Sequence, residues 1–354
     1  MELFRSQSNN IEQSGVKDCK IALMKKSFGI LLICMLSFVN AFSQNNETIK
    51  GFETQMKTLV DLMCDAPTDN ERFNANEKLI AIFDEVLPME KSFSYPFDEL
   101  KRISKLKSSD NRFRIFTWSV VSQDGSFENF GFVQSKNETS GEYEVYKLHD
   151  KSDEIFNPEF AKCDNENWFG AVYYDLITTK YEDRTFYTLL GFDGNSIYTK
   201  RKIIEPIVFK ARSGKPEFGA SYFYKDKERK RYVFEYNPSD NFVLRWDDQY
   251  YEDRSRGKES SFFSRIFKKN ESQSRRNNTE PTISQEQMIV YDVLESMFDG
   301  ISDMAQFNVA SGVVNGFKFE RGRWRLVENV LARNKKTKKV KELEVKSNLF
   351  NRHR

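Results

Sequence analysis

Between residues 112 and 327 the chain repeats one pattern: a short run in which apolar and polar residues alternate, then a turn, then another such run. Alternation of period two puts every second side chain on one face of an extended backbone, so each run reads as a strand with a buried face. Phe116, Trp118 and Val120 alternate with small polar positions, Asp124-Gly125 supplies a turn, and Phe130 and Phe132 continue beyond it. Tyr143 to Leu148 follows. The run from Trp168 to Ile177 is apolar on both faces, which predicts a central strand. Thr185 to Phe192 ends at Asp193-Gly194, a hairpin signal because both residues tolerate positive φ. Ile203 to Phe209 contains Pro206, which predicts an edge or a bulge. Short runs at 222–224, 232–236, 242–246, 288–294, 316–320 and 323–327 complete the set. No helical pattern separates successive runs, so the sequence predicts antiparallel meanders and argues against a parallel α/β sheet.

The region before this differs. Ile49, Phe52, Met56, Leu59, Val60 and Met63 recur at helical spacing, with Glu53, Lys57 and Asp61 elsewhere, which predicts a helix over 46–64. Pro67 breaks it. Thr68-x-x-Glu71 is a capping-box pattern, opening a second helix from Asp69 to Leu87 with Leu79, Ile80, Phe83 and Val86 as its stripe, stopped by Pro88. The expected fold class is α+β: an N-terminal helical hairpin packed on a large, mainly antiparallel β assembly that is a sandwich, an open barrel or propeller-like. The expected divisions are a leader over 1–23 (disordered or outside the true reading frame), a signal peptide over 24–43, a helical segment over 44–107, a β-rich domain over 108–331 with a mobile insert at 251–285, and a basic tail over 332–354.

The signal peptide is read from three features in order. Met24-Lys25-Lys26 gives a positive start, Phe28 to Val39 is an apolar run of 12 residues, and Asn40-Ala41-Phe42-Ser43 ends in small residues before Gln44. That is the arrangement a signal peptidase cleaves. The apolar run is shorter than the roughly 20 residues that span a bilayer. Ile33 precedes Cys34 where a lipidation site needs a small residue. The chain has 55 basic and 53 acidic side chains; removing the five and three within 1–43 leaves 50 of each, a formally neutral mature protein. Net charge therefore does not select a partner.

Cys64 and Cys163 remain after cleavage. In an oxidising compartment they either pair as a disulfide or stay as small buried residues. With His149 and His353 they do not make a Cys/His zinc cluster of ordinary spacing, and neither a metal nor a cofactor is expected. No G-x-S-x-G elbow, H-E-x-x-H, P-loop or G-x-G-x-x-G is present. His149-Asp150 reads as an exposed strand end, and Asp164-Asn165-Glu166-Asn167 reads as a surface turn, lacking the glycine and terminal glutamate of a calcium loop. A carboxylate pair stays open, since glycoside hydrolysis needs only two acids at a suitable separation. Asp175, inside the apolar run Tyr173-Tyr174-Asp175-Leu176-Ile177, is the first candidate.

Aromatics dominate the composition, with 32 Phe, 15 Tyr and 4 Trp. Most are expected in the core. Trp168, Tyr173, Tyr174 and Tyr187, with Asp175, are the candidates for lining a glycan or peptide groove, because Tyr and Trp offer an apolar face and a polar handle. Two further stretches are candidate contacts with a membrane surface: 254–276, where Phe262, Phe263, Ile266 and Phe267 lie among Arg265, Lys268 and Lys269, and 333–354, with nine basic residues against Glu342 and Glu344. A solvated loop and a solvated end are the simpler readings. Nucleic acid is disfavoured, because Phe350 is the tail's only aromatic and single strands are held by stacking platforms.

Several runs carry a resemblance. Asp110-Asn-Arg-Phe-Arg-Ile-Phe-Thr-Trp, Phe169-Gly-Ala-Val-Tyr-Tyr, Tyr187-Thr-Leu-Leu-Gly-Phe-Asp-Gly-Asn, Lys200-Arg-Lys-Ile-Ile-Glu, Pro216-Glu-Phe-Gly and Val233-Phe-Glu-Tyr resemble a family of exported Bacteroidota proteins to which no activity is assigned, over about residues 108–325. The resemblance implies a periplasmic or secreted location in the bacterial envelope and brings no catalytic residues. The functional expectation is a non-catalytic binding or structural role there, toward a glycan, a peptide or an envelope protein. The alternative is a carboxylate-dependent hydrolase acting on glycan or peptide, and the thin catalytic inventory leans against an enzyme. Mass spectrometry of the protein isolated from its native cells should find Gln44 at the amino terminus; a chain that still begins at Met1 or Met24 would contradict the signal-peptide reading.

Overall fold

The computed structural model describes residues 47–253, 282–300 and 304–330. The expected leader, signal peptide and basic tail, and residues 254–281 of the expected insert, lie outside the described residues. The chain forms two compact units, one holding the chain to Asp65 with Asn74–Lys101, the other Ala66–Phe73 with the chain from Arg102.

In the helical unit, helix α1 spans 47–65. Ile49, Glu53, Met56, Val60 and Met63 are buried along it, at steps of three and four that keep them on one face. Glu53 is tolerated in that stripe because its carboxylate accepts the Tyr95 hydroxyl at 2.6 Å and the Glu99 backbone N–H at 2.8 Å. Helix α2 (Asp69–Val86) buries Ala75, Asn76, Leu79, Phe83 and Val86. Its start follows the expected cap: the Thr68 hydroxyl accepts the Glu71 N–H at 3.4 Å and donates to the Glu71 carboxylate at 2.7 Å.

The sheet unit contains three sheets, every strand pair antiparallel. The first is β1 (Ser104–Lys107), β2 (Phe113–Val121), β3 (Phe127–Lys136) and β4 (Tyr143–His149), in that order. The second holds β5 (Cys163–Asp164), β6 (Val172–Tyr181), β7 (Arg184–Asp193), β8 (Lys200–Phe209), β9 (Pro216–Phe218) and β10 (Tyr232–Tyr236), ordered β5-β9-β8-β7-β6 with β10 beside β8. The third is β11 (Leu244–Asp253), β12 (Thr282–Ser296), β13 (Asn308–Glu320) and β14 (Arg323–Val327) in chain order. None of the sheets closes into a barrel.

Two cores show how the layers stack. One joins Phe113, Ile115, Val133 and Leu148 of the first sheet to Tyr173, Tyr187, Leu189, Ile203, Ile207 and Phe218 of the second. The other joins Ile177, Leu190, Ile204 and Tyr236 of the second sheet to Leu244, Ile289, Tyr291, Phe317 and Trp324 of the third. Neighbouring residues thus go to different cores: Leu189 and Ile203 to one, Leu190 and Ile204 to the other. The second sheet is the middle layer, apolar on both faces, and its strands read as near-continuous apolar runs for that reason.

Four local expectations change. The run expected as a central strand at 168–177 gives β6, which begins at Val172 and forms the edge of the middle sheet; its two apolar faces reflect the middle layer, not a central position within it. A register shift between Tyr173 and Asp175 reverses the alternation, so Tyr173 enters the first core and Ile177 the second. Pro206 stands inside β8, between β7 and the edge shared by β9 and β10. Its carbonyl accepts Gly219 N–H at 2.8 Å, so its missing donor points to the same edge, where β9 ends opposite Ile207 and β10 begins opposite Ile204. No ladder bond is lost there. The run at 222–224 is not a strand but a single bridge, Phe223 to Trp324. The sheet unit also starts before residue 108, because β1 pairs with β2 from Ser104.

Candidate functional site

Three turns bring polar groups together in the sheet unit: the β2–β3 hairpin, the segment after β4, and the β7–β8 turn. They bound a cleft of about 360 Å³ lined by Ser126, Phe127, Glu128, Asn129, Asp150, Asp153, Asp193 and Arg201 among others. Each wall has a local reason. The hairpin turns at Gly125 (φ +82°), with the Asp124 carboxylate accepting the Ser126 N–H and hydroxyl at 2.9 and 2.7 Å. The β7–β8 turn places Asn195, not Gly194, at positive φ (+52°); Gly194 is required because a Cβ there would lie 2.3 Å from the Phe127 ring. Asn195 O accepts the Phe127 N–H at 3.3 Å, tying the two turns.

Asp150 and Asp193 organise the floor. Asp150 accepts Asn129 N–H at 3.1 Å, Ser152 N–H at 3.0 Å, the Ser152 hydroxyl at 2.5 Å and Gly170 N–H at 3.3 Å. Gly170 has no alternative, since its Cβ would sit 2.1 Å from the Asp150 carboxylate. Asp193, 3% exposed, accepts the Asn129 side-chain amide at 3.1 Å and Asn195 N–H at 3.0 Å, with the Arg201 guanidinium at 3.5 Å. Arg201 in turn binds Glu235 at 3.1 Å. Burial pushes the Asp193 carboxyl above its ordinary range, against the bonds and the Arg201 charge that favour its ionised form. Glu128 is also pushed up, by burial and then by the neighbouring Asp150 charge.

Trp168, Tyr173, Tyr174, Asp175 and Tyr187, the candidate groove residues, are not among the residues lining this cleft. Trp168 and Tyr173 are fully buried in the first core, where they belong to a polar chain. Trp168 Nε1–H donates to the Tyr173 hydroxyl at 2.9 Å, that hydroxyl donates to Glu205, and Glu205 accepts Arg231 Nε–H at 2.5 Å. Arg231 also donates to the carbonyls of Pro158, Ala161 and Phe218. Glu205 and Arg231 are both 0% exposed; the pair is fully hydrogen-bonded, the condition under which buried charges are tolerated. Tyr187 is 8% exposed, and its hydroxyl donates to Asp110. These three rings have no open face for a ligand. Tyr174, 40% exposed, donates to Leu244 O at 2.8 Å. Asp175 sits at the β6 bulge and accepts the Leu176 N–H at 2.8 Å, with burial pushing its carboxyl up.

Cys163 is a buried thiol, raised in pKa chiefly by that burial, and forms no disulfide; Cys64 is half-buried in α1 and is not joined to it. His149 is half-exposed, its Nε2 3.9 Å from Glu166, and Asp164 to Asn167 fold as a turn in which Asp164 accepts the Glu166 N–H at 2.9 Å. Among the described residues no three His, Cys, Asp or Glu side chains are grouped to hold a metal ion. Comparison of the chain with protein-family models, with curated proteins and with solved structures finds no match.

The cleft was hidden in residues that the sequence presents as punctuation. Asp193 reads as half of a turn dipeptide and Asp150 as the partner of an exposed histidine. The cue was Asp-rich turns closing strands of two different layers.

Glu128 gives the sign of a pH effect. A carboxyl whose pKa is raised by folding disfavours the ionised fold, so the fold is weakened as pH rises through the interval between the ordinary and raised values, and unaffected below both. Thermal melting should therefore show Glu128→Gln above the parent at about pH 7 and level with it at about pH 3. A variant that melts lower at neutral pH would contradict the repulsion from Asp150.

Proposed function

We propose that the protein is exported through a cleavable signal peptide and acts in the bacterial envelope as a binding protein, without catalysis, and that its cleft around Asp150 and Asp193 receives a basic segment of a peptide or envelope protein. The observation that carries this reading is how the two aspartates are used. Asp150 accepts four hydrogen bonds, and Asp193 accepts two beside Arg201. A general acid or base must exchange a proton with substrate; the oxygens of these two groups are instead engaged by donors of the fold itself. The lining has five carboxylates, Glu128, Asp150, Asp153, Glu154 and Asp193, against Lys151 and Arg201. That surplus attracts a lysine or arginine side chain and steers its approach. Among the described residues the only lining aromatic is Phe127, half-buried, so they offer a sugar ring little to stack on.

One observation favours a hydrolase as the second reading. Glu128 faces the cleft with its carboxyl pushed up by burial and by Asp150, the direction wanted of a proton donor.

Calorimetric titration with trilysine at low ionic strength separates the two. Saturable binding is expected, weakening with added salt and at least about threefold in Glu128→Gln/Asp153→Asn, as loss of two facing charges implies. Absence of saturable binding would sink the basic-segment reading. Turnover of a peptide or glycan that vanishes in Glu128→Gln would replace it with the hydrolase.

A further inference from the structure

A second cleft lies between the tips of two hairpins, and its charge is opposite to that of the first. The β6–β7 turn of the middle sheet and the β13–β14 turn of the third sheet enclose about 280 Å³. Arg184, Arg321 and Arg323 line it, with Glu182 as the single facing carboxylate among the described residues. Phe186 and Tyr222 form an aromatic floor, their rings edge to face at 5.1 Å.

Packing and backbone bonds fix the hairpin tip that carries Arg321 and Arg323. Gly322 (φ +76°) packs so closely that a Cβ would lie 3.2 Å from Phe186 and 3.3 Å from Tyr181. Trp324 N–H donates to Tyr222 O at 2.7 Å, and Tyr224 N–H to Trp324 O at 2.8 Å, lacing the start of β14 to the floor. Arg323 donates to Ser221 O at 3.3 Å, and the Arg184 guanidinium lies over the Phe186 ring at 5.3 Å. Arg321 occupies a left-handed backbone position (φ +50°), where asparagine or glycine is the easier choice. Four other arginines of the sheet unit have carboxylate partners: Arg201 with Glu235, Arg229 with Glu159, Arg231 with Glu205, Arg325 with Glu320. Arg184, Arg321 and Arg323 form no ion pair among the described residues. Three guanidiniums lining one cleft with one carboxylate repel one another unless a counter-charge enters, and the planar donor fork of arginine suits an oxyanion.

We propose that this cleft binds a phosphate or sulfate group, the oxyanion meeting Arg184, Arg321 and Arg323 while the group that carries it lies against Phe186 and Tyr222. This goes beyond the binding role of the acidic cleft and does not rest on it. The carrier is either a soluble ester or the headgroup of an anionic lipid, and the two are separable.

Purified protein is titrated with inorganic phosphate and with sulfate at low ionic strength by calorimetry, and sedimented with phosphatidylglycerol vesicles. Saturable binding of the inorganic anions is expected, weakened at least about tenfold in Arg184→Gln/Arg321→Gln, as loss of two charge-assisted contacts implies, and unchanged in Arg212→Gln, an exposed control. Arg184→Lys/Arg321→Lys should fall between, because charge without the fork keeps only part of the contact. Vesicle binding lost in the same double variant assigns the oxyanion to a lipid headgroup; anion binding without vesicle binding assigns it to a soluble ester. Absence of saturable anion binding in the parent protein, or equal affinity in the Gln double variant with its melting temperature retained, overturns the proposal.

Discussion

The sheet unit depends on one constraint: its middle sheet must be apolar on both faces. Leu189 and Leu190 are adjacent, both wholly buried, and belong to different cores, as do Ile203 and Ile204. A sheet covered on one side alternates apolar with polar; one covered on both cannot. β7 and β8 therefore have no solvent face over their central residues, and the outer sheets each have a reason to be there. Backbone pairing alone does not impose this. Any antiparallel sheet satisfies its own ladder, whereas only two covering layers remove both rows of side chains from water.

The same constraint explains where polar chemistry appears. Within the layers, the Glu205–Arg231 charge pair is hydrogen-bonded on every side. Glu205 lies opposite Leu189 in the register and so faces the first core, where Tyr173 and Arg231 use both of its oxygens. Trp324, facing the second core, donates its indole N–H to Thr188 at 3.0 Å. Unsatisfied polar groups would be costly at either position. Two clefts lie at turns on the rims of the layers. Two such rims have opposite character, one carrying the Asp150–Asp193 cleft and the other the three arginines.

Much of this was legible in the sequence because it follows from periodicity and local caps. The stripe from Ile49 to Met63 and the Thr68 to Glu71 box gave the helices nearly to the residue. The turn at Asp124-Gly125 and the main strands followed from alternation. What escaped lacked a local signal. β1, β5 and β9 are too short for alternation to show. The run ending at Ile177 looked central because double-sided burial imitates a central strand, and the bulge at Tyr174 is a choice made by the two cores. Pro206 looked like an edge residue because the gap between β10 and β9 is set by tertiary pairing. Three of the aromatic candidates are buried for a related reason: Trp168, Tyr173 and Tyr187 have polar handles, but Tyr173, Glu205 and Asp110 take them up internally. The acidic cleft joins residues far apart in sequence, so no single window contained it.

The central claim is that neighbouring residues of β7 hold two separate cores. The most direct measurement is the unfolding free energy of Leu189→Ala and Leu190→Ala by denaturant titration. Each should lose about 2–5 kcal/mol, the usual cost of emptying a buried leucine site, and the losses should add in the double variant, since the two side chains share no cavity. A large loss at one position with almost none at its neighbour would mean that only one face of the middle sheet is covered, and the three-layer account would be wrong.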